Sequence, residues 1–117
     1  MLAHDPGAGH PESPARLRAV LDELRGGPLA DRIEWHDADL VDLGFVRTVH
    51  APGYVRALGE LAAFGGSRID PDTVMSAGTL DAARRAAGAA ISAAEAALAG
   101  DPAFAAVRPP GHHATLD

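Results

Sequence analysis

The sequence predicts an α/β fold of which the 117 residues supply only part. Three observations lead there. Helical periodicity and short strand-like runs alternate in the order helix, strand, helices, strand, the pattern of α/β architectures. A long Ala-rich helix precedes the last strand and is built for close approach to a flat partner such as a sheet. Two short strands cannot make a sheet with both faces covered, so the rest of the sheet is expected outside these residues.

Taken in order, residues 4–12 form a loop rich in Gly, His and Pro. Ser13-Pro14 opens the first helix, because Ser is a good N-cap and Pro is favoured at the first helical position. Leu17, Val20, Leu21 and Leu24 follow as one apolar stripe, and Gly26-Gly27 ends the helix by tolerating positive φ. Arg32-Ile33-Glu34-Trp35 alternates polar and apolar and reads as a short strand. Asp39 is expected to cap a short helix carrying Leu40, Leu43 and Val46. Pro52 starts the next helix, with Tyr54, Leu58 and Leu61 on one face and Gly65-Gly66 beyond its end.

A loop over residues 67–77 contains Asp70-Pro71-Asp72. The longest helix is predicted over Thr79 to Ala99, with Leu80, Ala83, Ala87, Ile91, Ala94 and Leu98 as its stripe. Asp81 and Arg85 are spaced to pair on its exposed face. Ala103 to Val107 reads as a buried strand ended by Arg108-Pro109-Pro110. No repeat or domain boundary appears, so residues 1–117 are read as one piece of a single domain.

Composition bounds the function. Alanine supplies 26 residues and Trp, Tyr and Phe together only five. Each buried Ala removes little apolar surface from water, so the core of this chain alone is thin. The net charge is −6, with ten basic residues, all Arg, against sixteen acids. That balance argues against a general nucleic-acid binder, which shows a basic patch or stripe. The absence of Cys removes disulfides, thiol nucleophiles and Cys-ligated zinc. No secretory signal or membrane-spanning run is visible, so a cytoplasmic location is expected, with no membrane partner.

The densest chemical signal is Arg108-Pro109-Pro110-Gly111-His112-His113-Ala114. A strand runs into a stiff Pro-Pro turn, and Gly111 allows an unusual backbone angle before two histidines. Ligands in open α/β sheets bind beyond the carboxyl ends of strands, where this string sits. Adjacent histidines are poor chelators of one metal ion, since zinc pairs are usually spaced by a few residues. Two neighbouring imidazoles better suit proton transfer, one taking a proton from water while the other stays protonated and stabilises developing negative charge. The bland alternative is a surface loop with two solvated histidines.

The seven-residue string resembles the signature of the histone deacetylase superfamily, which includes bacterial acetylpolyamine amidohydrolases. Other segments agree in order. Gly9-His10-Pro11-Glu12-Ser13-Pro14-Ala15-Arg16-Leu17 resembles the family's His-Pro-Glu loop running into its first helix. Val49-His50-Ala51-Pro52-Gly53-Tyr54-Val55 is similar to its Val-His-x-x-x-Tyr segment. Residues 70–88 resemble the loop and Ala-rich helix before the signature.

The resemblance implies an arginase/deacetylase-like fold: an open, mostly parallel sheet with helices on both faces, present here as its N-terminal portion. It implies hydrolysis of an N-acetyl amide on acetyl-lysine or an acetylpolyamine, with Zn²⁺ polarising the carbonyl and activating water. His113 is then the general base, and His112 the electrostatic partner and candidate general acid. Arg16 matches an arginine near the channel through which acetate leaves, where a guanidinium can hold the carboxylate in a bidentate pair. Its alternative is a solvated helix residue. Asp70 or Asp72 matches the rim aspartate that holds the substrate backbone, against loop capping by Asp beside Pro. Gly111 falls within the same substrate-binding signature. His10 and Glu12 lie near the site entrance or stabilise their loop. His50 is expected to be a buried, hydrogen-bonded anchor, and His4 and His36 to be loop or surface residues.

The family's zinc ligands, an Asp-x-His pair and a later Asp, and its transition-state Tyr all follow the signature and are not among these residues. The resemblance therefore implies zinc in the full-length parent and none on this chain alone, which is expected to be inactive by itself. The alternative is a non-catalytic relative that binds a partner through its uncovered faces. The arginase branch is disfavoured by the Pro-Pro-Gly-His-His string.

Overall fold

Ser13 and Pro14 start the first helix as the sequence predicts. In a computed structural model describing residues 1–111 and 114–116, α1 spans Pro14–Gly26, with Ser13 as N-cap and Pro14 in the first turn. The Ser13 side chain makes no capping bond; its carbonyl accepts from the Arg16 N–H at 3.1 Å instead. Gly27, expected to use positive φ, has φ −86°. A single 3₁₀ turn, Ala30–Arg32, follows.

The next helix is shorter than predicted and begins later. α2 spans Leu43–Val46, and its cap is Asp42, whose carboxylate accepts from the Gly44 N–H at 2.6 Å. Asp39 is not the cap. Both are Asp in an acidic stretch, and an N-cap works only through the amides two or three residues on. α3 spans Pro52–Ala63, and α4 spans Thr79–Ala99, matching its predicted bounds. Gly65 and Gly66 follow α3 with φ of +91° and +100°, where any side chain would be strained.

α4 packs on α3, but the face it buries is not the predicted stripe. Ala82, Ala86 and Gly88 are buried, whereas Leu98 is 89% exposed. The reason is close approach. The chain before α2 runs across α4, where the Arg84 Nε donates to the Val41 carbonyl (2.9 Å) and the Arg85 Nη1 to the Ala38 carbonyl (2.7 Å). Arg85 thus serves this crossing rather than the expected pair with Asp81. A Cβ on Gly88 would overlap the Asp39 carbonyl. Gly88→Ala is therefore expected to lower the thermal midpoint, although Ala is the better helix former by about 1 kcal/mol. Gly59→Ala in α3 meets nothing within 4 Å and is expected to raise it. Thermal unfolding of both variants checks the contrast.

The two predicted strands are not paired. Among the described residues the only bridge is antiparallel, Arg68 to Val74, within the 67–77 loop. Residues 32–35 and 103–107 have no ladder partner there. Neither stretch is the strand its pattern predicts: Arg32 ends the 3₁₀ turn with only Ile33 beyond it shown extended (φ −101°, ψ 121°), and Ala103 and Phe104, expected in a buried strand, are exposed. A strand is completed by a neighbour, which local pattern does not supply. The segment at 32–35 is tethered instead by the Arg25 guanidinium, 4.9 Å over the Trp35 ring.

The result is a slab measuring 42 × 34 × 20 Å with a radius of gyration of 15.2 Å, against about 13 Å for a compact chain near this size. The buried apolar residues are few: Leu17, Val55, Met75, Ala82 and Ala86. Phe64 and Phe104 are 89% and 75% exposed. No helix among the described residues is long and apolar enough to cross a membrane.

Candidate functional site

Residues 103–107 lead into the most deeply buried charge among the described residues. Arg108 is 2% exposed, and its peptide bond to Pro109 is cis. Burying a guanidinium is costly unless it is paired and hydrogen-bonded. Arg108 meets that condition through the N-terminal loop. Its Nε donates to Glu12 Oε1 at 2.9 Å and its Nη2 to Glu12 Oε2 at 2.6 Å, a bidentate pair. Its Nη1 donates to the Met1 carbonyl at 3.1 Å and to the His4 carbonyl.

His4 backs the same carboxylate. Its Nε2 lies 3.2 Å from Glu12 Oε2, and its Nδ1 lies 2.7 Å from Thr79 Oγ1 at the start of α4. Thr79 Oγ1 accepts from the Ser76 N–H at 2.7 Å. A neutral His4 satisfies all of this when Nε2–H donates to Glu12 and the Thr79 hydroxyl donates to Nδ1. Burial, and then the Arg108 charge, push the His4 imidazole below its ordinary value, outweighing the pull of Glu12. Burial pushes Glu12 up, but its bonds to Arg108 and the charges of Arg108, His4 and Arg16 more than offset this and hold the carboxyl below the ordinary range. His4, expected to be a loop or surface residue, lies in the N-terminal loop but is buried, at 5% exposure. Its role depends on Thr79 and Glu12, and nothing near it in sequence announces either.

Beside this cage lies an open cleft of about 380 Å³ between α1 and the 103–110 segment. Its polar lining is Glu12, Arg16 and Arg108, and Leu17, Val20, Phe104 and Pro110 are among its apolar lining. Arg16 is exposed, one turn beyond Glu12, and its charge reaches that carboxylate. The structure thus brings Arg16 beside Arg108 and Pro110, the start of the signature string.

The 70–73 turn stands apart from the cleft and is joined to the same loop through His10. The His10 Nε2 donates to the Asp72 carbonyl at 3.1 Å, and its Nδ1 accepts from the Glu12 N–H at 3.1 Å. His10 is thus a loop stabiliser. Asp70 Oδ1 accepts from the Asp72 and Thr73 N–H groups, each at 2.8 Å, so Asp70 shapes the turn; both aspartates are exposed. His36 is a surface residue, 3.3 Å from Glu34. His50 is half-buried rather than buried, and its Nδ1 donates to the Thr115 carbonyl at 2.5 Å.

Gly111 is exposed, and its φ is not positive. Its carbonyl accepts from the Ala114 N–H at 3.0 Å. His112 and His113 lie outside the described residues. Among the described residues no group of three His, Cys, Asp or Glu side chains is arranged to hold a metal ion.

Comparison with known proteins bears on this arrangement as a whole. Residues 10–117 match the family model of the histone deacetylase domain. A probable deacetylase of Archaeoglobus fulgidus is 41% identical over 117 residues, covering 97% of this chain and 32% of its own. A histone deacetylase-like amidohydrolase of Pseudomonas aeruginosa is 35% identical over 112 residues, covering 94% of this chain and 30% of its own. The crystal structure of the HDA15 HD domain superposes with a TM-score of 0.88 at 33% identity, covering 98% of this chain and 36% of that one. The chain spans about a third of the length of the curated relatives it matches.

Proposed function

The chain belongs to the histone deacetylase domain family, and from that premise we propose that it supplies the N-terminal part of a zinc-dependent deacetylase site acting on acetyl-lysine or an acetylpolyamine. The observation that carries this reading is the seating of the start of the signature string: Arg108 is fixed in the Glu12 cage, and Arg108 and Pro110 line a cleft that Arg16 also lines.

The reaction adds water to the amide carbonyl and breaks the C–N bond, releasing acetate and an amine. His113 takes the proton from the attacking water. His112 stabilises the charge that develops and hands a proton to the leaving amine. Arg16 receives the acetate carboxylate through paired N–H donors. Asp72 holds the substrate backbone at the rim, since Asp70 Oδ1 is occupied by the turn amides. By the family resemblance the ion is assigned to ligands in the remainder of the domain, and the segment by itself is expected not to hydrolyse amides. The unpaired segments at 32–35 and 103–107 are assigned as strands of the open sheet, completed by that remainder.

The test is acetate release by the zinc-loaded longer protein from an acetyl-lysine peptide and from an N-acetylpolyamine. Hydrolysis of either supports the proposal; inertness towards both, with zinc bound, ends it. For Arg16→Ala in that protein, turnover is expected to fall about tenfold, the loss of one charge-assisted bond of about 1.5 kcal/mol, with a smaller change in KM. An unchanged kcat returns Arg16 to a solvated helix residue.

A further inference from the structure

We propose that His10 is a positioning residue for the turn that carries Asp72, and that it serves the binding of substrates presenting a peptide backbone. The inference rests on the deacetylase reading above, which assigns the Asp72 carboxylate to the substrate backbone. It adds the group that sets where that carboxylate stands.

The turn is the exposed tip of a short hairpin. Its base is firm: the Met75 N–H donates to the Ser67 carbonyl at 2.8 Å, and Met75 is buried. Nearer the tip, the Ile69 N–H donates to the Thr73 carbonyl at 2.8 Å and the Arg68 Nη1 to the Pro71 carbonyl at 2.6 Å. Residues 70–73 are all exposed, and an exposed turn held by its own bonds opens easily. His10 holds it from outside the hairpin, 62 residues away in sequence. The group it holds is the carbonyl of Asp72 itself, 3.1 Å from Nε2.

Both sides of the imidazole are used. Nδ1 lies 3.1 Å from the Glu12 nitrogen and 3.2 Å from the Glu12 carbonyl oxygen. A neutral ring with its proton on Nδ1 would face the Asp72 carbonyl with a bare Nε2, lone pair to lone pair. With the proton on Nε2, the ring donates to Asp72 and accepts from the Glu12 N–H. Its support is fixed, because the Glu12 carboxylate is bound through both oxygens to the buried Arg108. A chain of contacts thus runs from the buried guanidinium through Glu12 and His10 to the exposed Asp72. His10 is not assigned contact with substrate. Without it the Asp72 carboxylate ranges over more positions, which weakens its bond to the substrate backbone. That bond lies away from the reacting carbonyl and is made alike in ground and transition states, so its loss falls on KM rather than kcat.

The experiment uses the longer zinc-loaded protein and an acetyl-lysine peptide. His10→Ala is expected to raise KM about threefold to tenfold, the range for one neutral hydrogen bond, with kcat within about twofold. His10→Gln places an amide N–H close to the position of Nε2 and is expected to recover most of the loss. In an Asp72→Ala background, His10→Ala is expected to add less than about twofold, because the two residues act through one contact. An unchanged KM, a Gln variant no better than Ala, or an undiminished loss in the Asp72→Ala background overturns the proposal. N-acetylputrescine separates this from failure of the deacetylase reading. Acetate release from it and none from the peptide leaves Asp72 no backbone to hold and overturns the role of His10 alone. Inertness towards both, with zinc bound, ends the deacetylase reading and the role with it.

Hydrogen exchange reads the tie without activity. In His10→Ala the Thr73 amide is expected to exchange about threefold to tenfold faster, while the Met75 amide at the hairpin base keeps its rate. Equal Thr73 rates in the two proteins overturn the tie.

Discussion

Glu12→Ala is expected to destabilise the protein carrying this chain by about 3–5 kcal/mol, because it leaves the Arg108 guanidinium buried without its counter-charge. Against a total stability of about 5–15 kcal/mol, that is a large share. The side chain of Arg108 is 3% exposed and that of Glu12 16%, so water cannot replace the lost carboxylate without opening the loop. The urea midpoint is the measurement. A comparison variant, Glu12→Leu with Arg108→Met, removes both charges together and is expected to recover much of the loss, since replacing a buried pair by apolar side chains is often neutral. A midpoint for Glu12→Ala within about 0.5 kcal/mol of the unsubstituted protein contradicts the cage as the anchor of the string.

The same network sets a pH dependence with a definite sign. His4 is held below its ordinary value of 6.5, so the unfolded chain takes up that proton first as pH falls. Its contribution is complete above 6.5 and is lost as pH falls from there through the folded value. Glu12 is held below its ordinary 4.5, so its contribution is complete above 4.5 and is lost further down, as pH falls through its folded value. Stability is expected to decline in two stages on acidification. His4→Gln removes the upper stage and leaves the lower, which urea midpoints taken across the two windows will show.

What could be read from the sequence follows from the range of each signal. The bounds of α1, α3 and α4 were legible because their signals are local: Pro14 and Pro52 in first turns, and an uninterrupted Ala-rich run from Thr79 to Ala99. The buried face of α4 was not, because a stripe is sought among large residues. Here the neighbour is another stretch of backbone, which selects Ala82, Ala86 and Gly88 and leaves Leu98 outside. The segments at 32–35 and 103–107 carry a strand-like pattern that names no partner, and among the described residues neither is paired. Within the site, the signature string and Arg16 stand out in one dimension. The Arg108–Glu12–His4 cage does not, because it joins residues about a hundred positions apart and its energetic weight arises only from burial. Arg108 looked like the polar end of a strand, and His4 like a loop residue.

His113→Ala in the longer protein is expected to lower kcat by about 10²–10⁴-fold, the range for removing a positioned general base, while zinc stays bound. The argument is chemical. Two adjacent imidazoles after a rigid Pro-Pro turn cannot converge easily on one ion, but they can share the proton traffic of amide hydrolysis, one accepting from water and the other donating to the leaving amine. Removing the acceptor should abolish the acidic limb of the kcat profile as well as the rate, since that limb reports its titration. By the same reasoning His112→Ala should abolish the basic limb, which reports loss of the acid's proton, and should cost most at the lower pH values where the unsubstituted protein holds that proton. Measuring zinc content beside the kcat profiles separates the roles. Loss of zinc from the His113 variant would make that residue a ligand, and the division of labour between the two histidines would have to be abandoned.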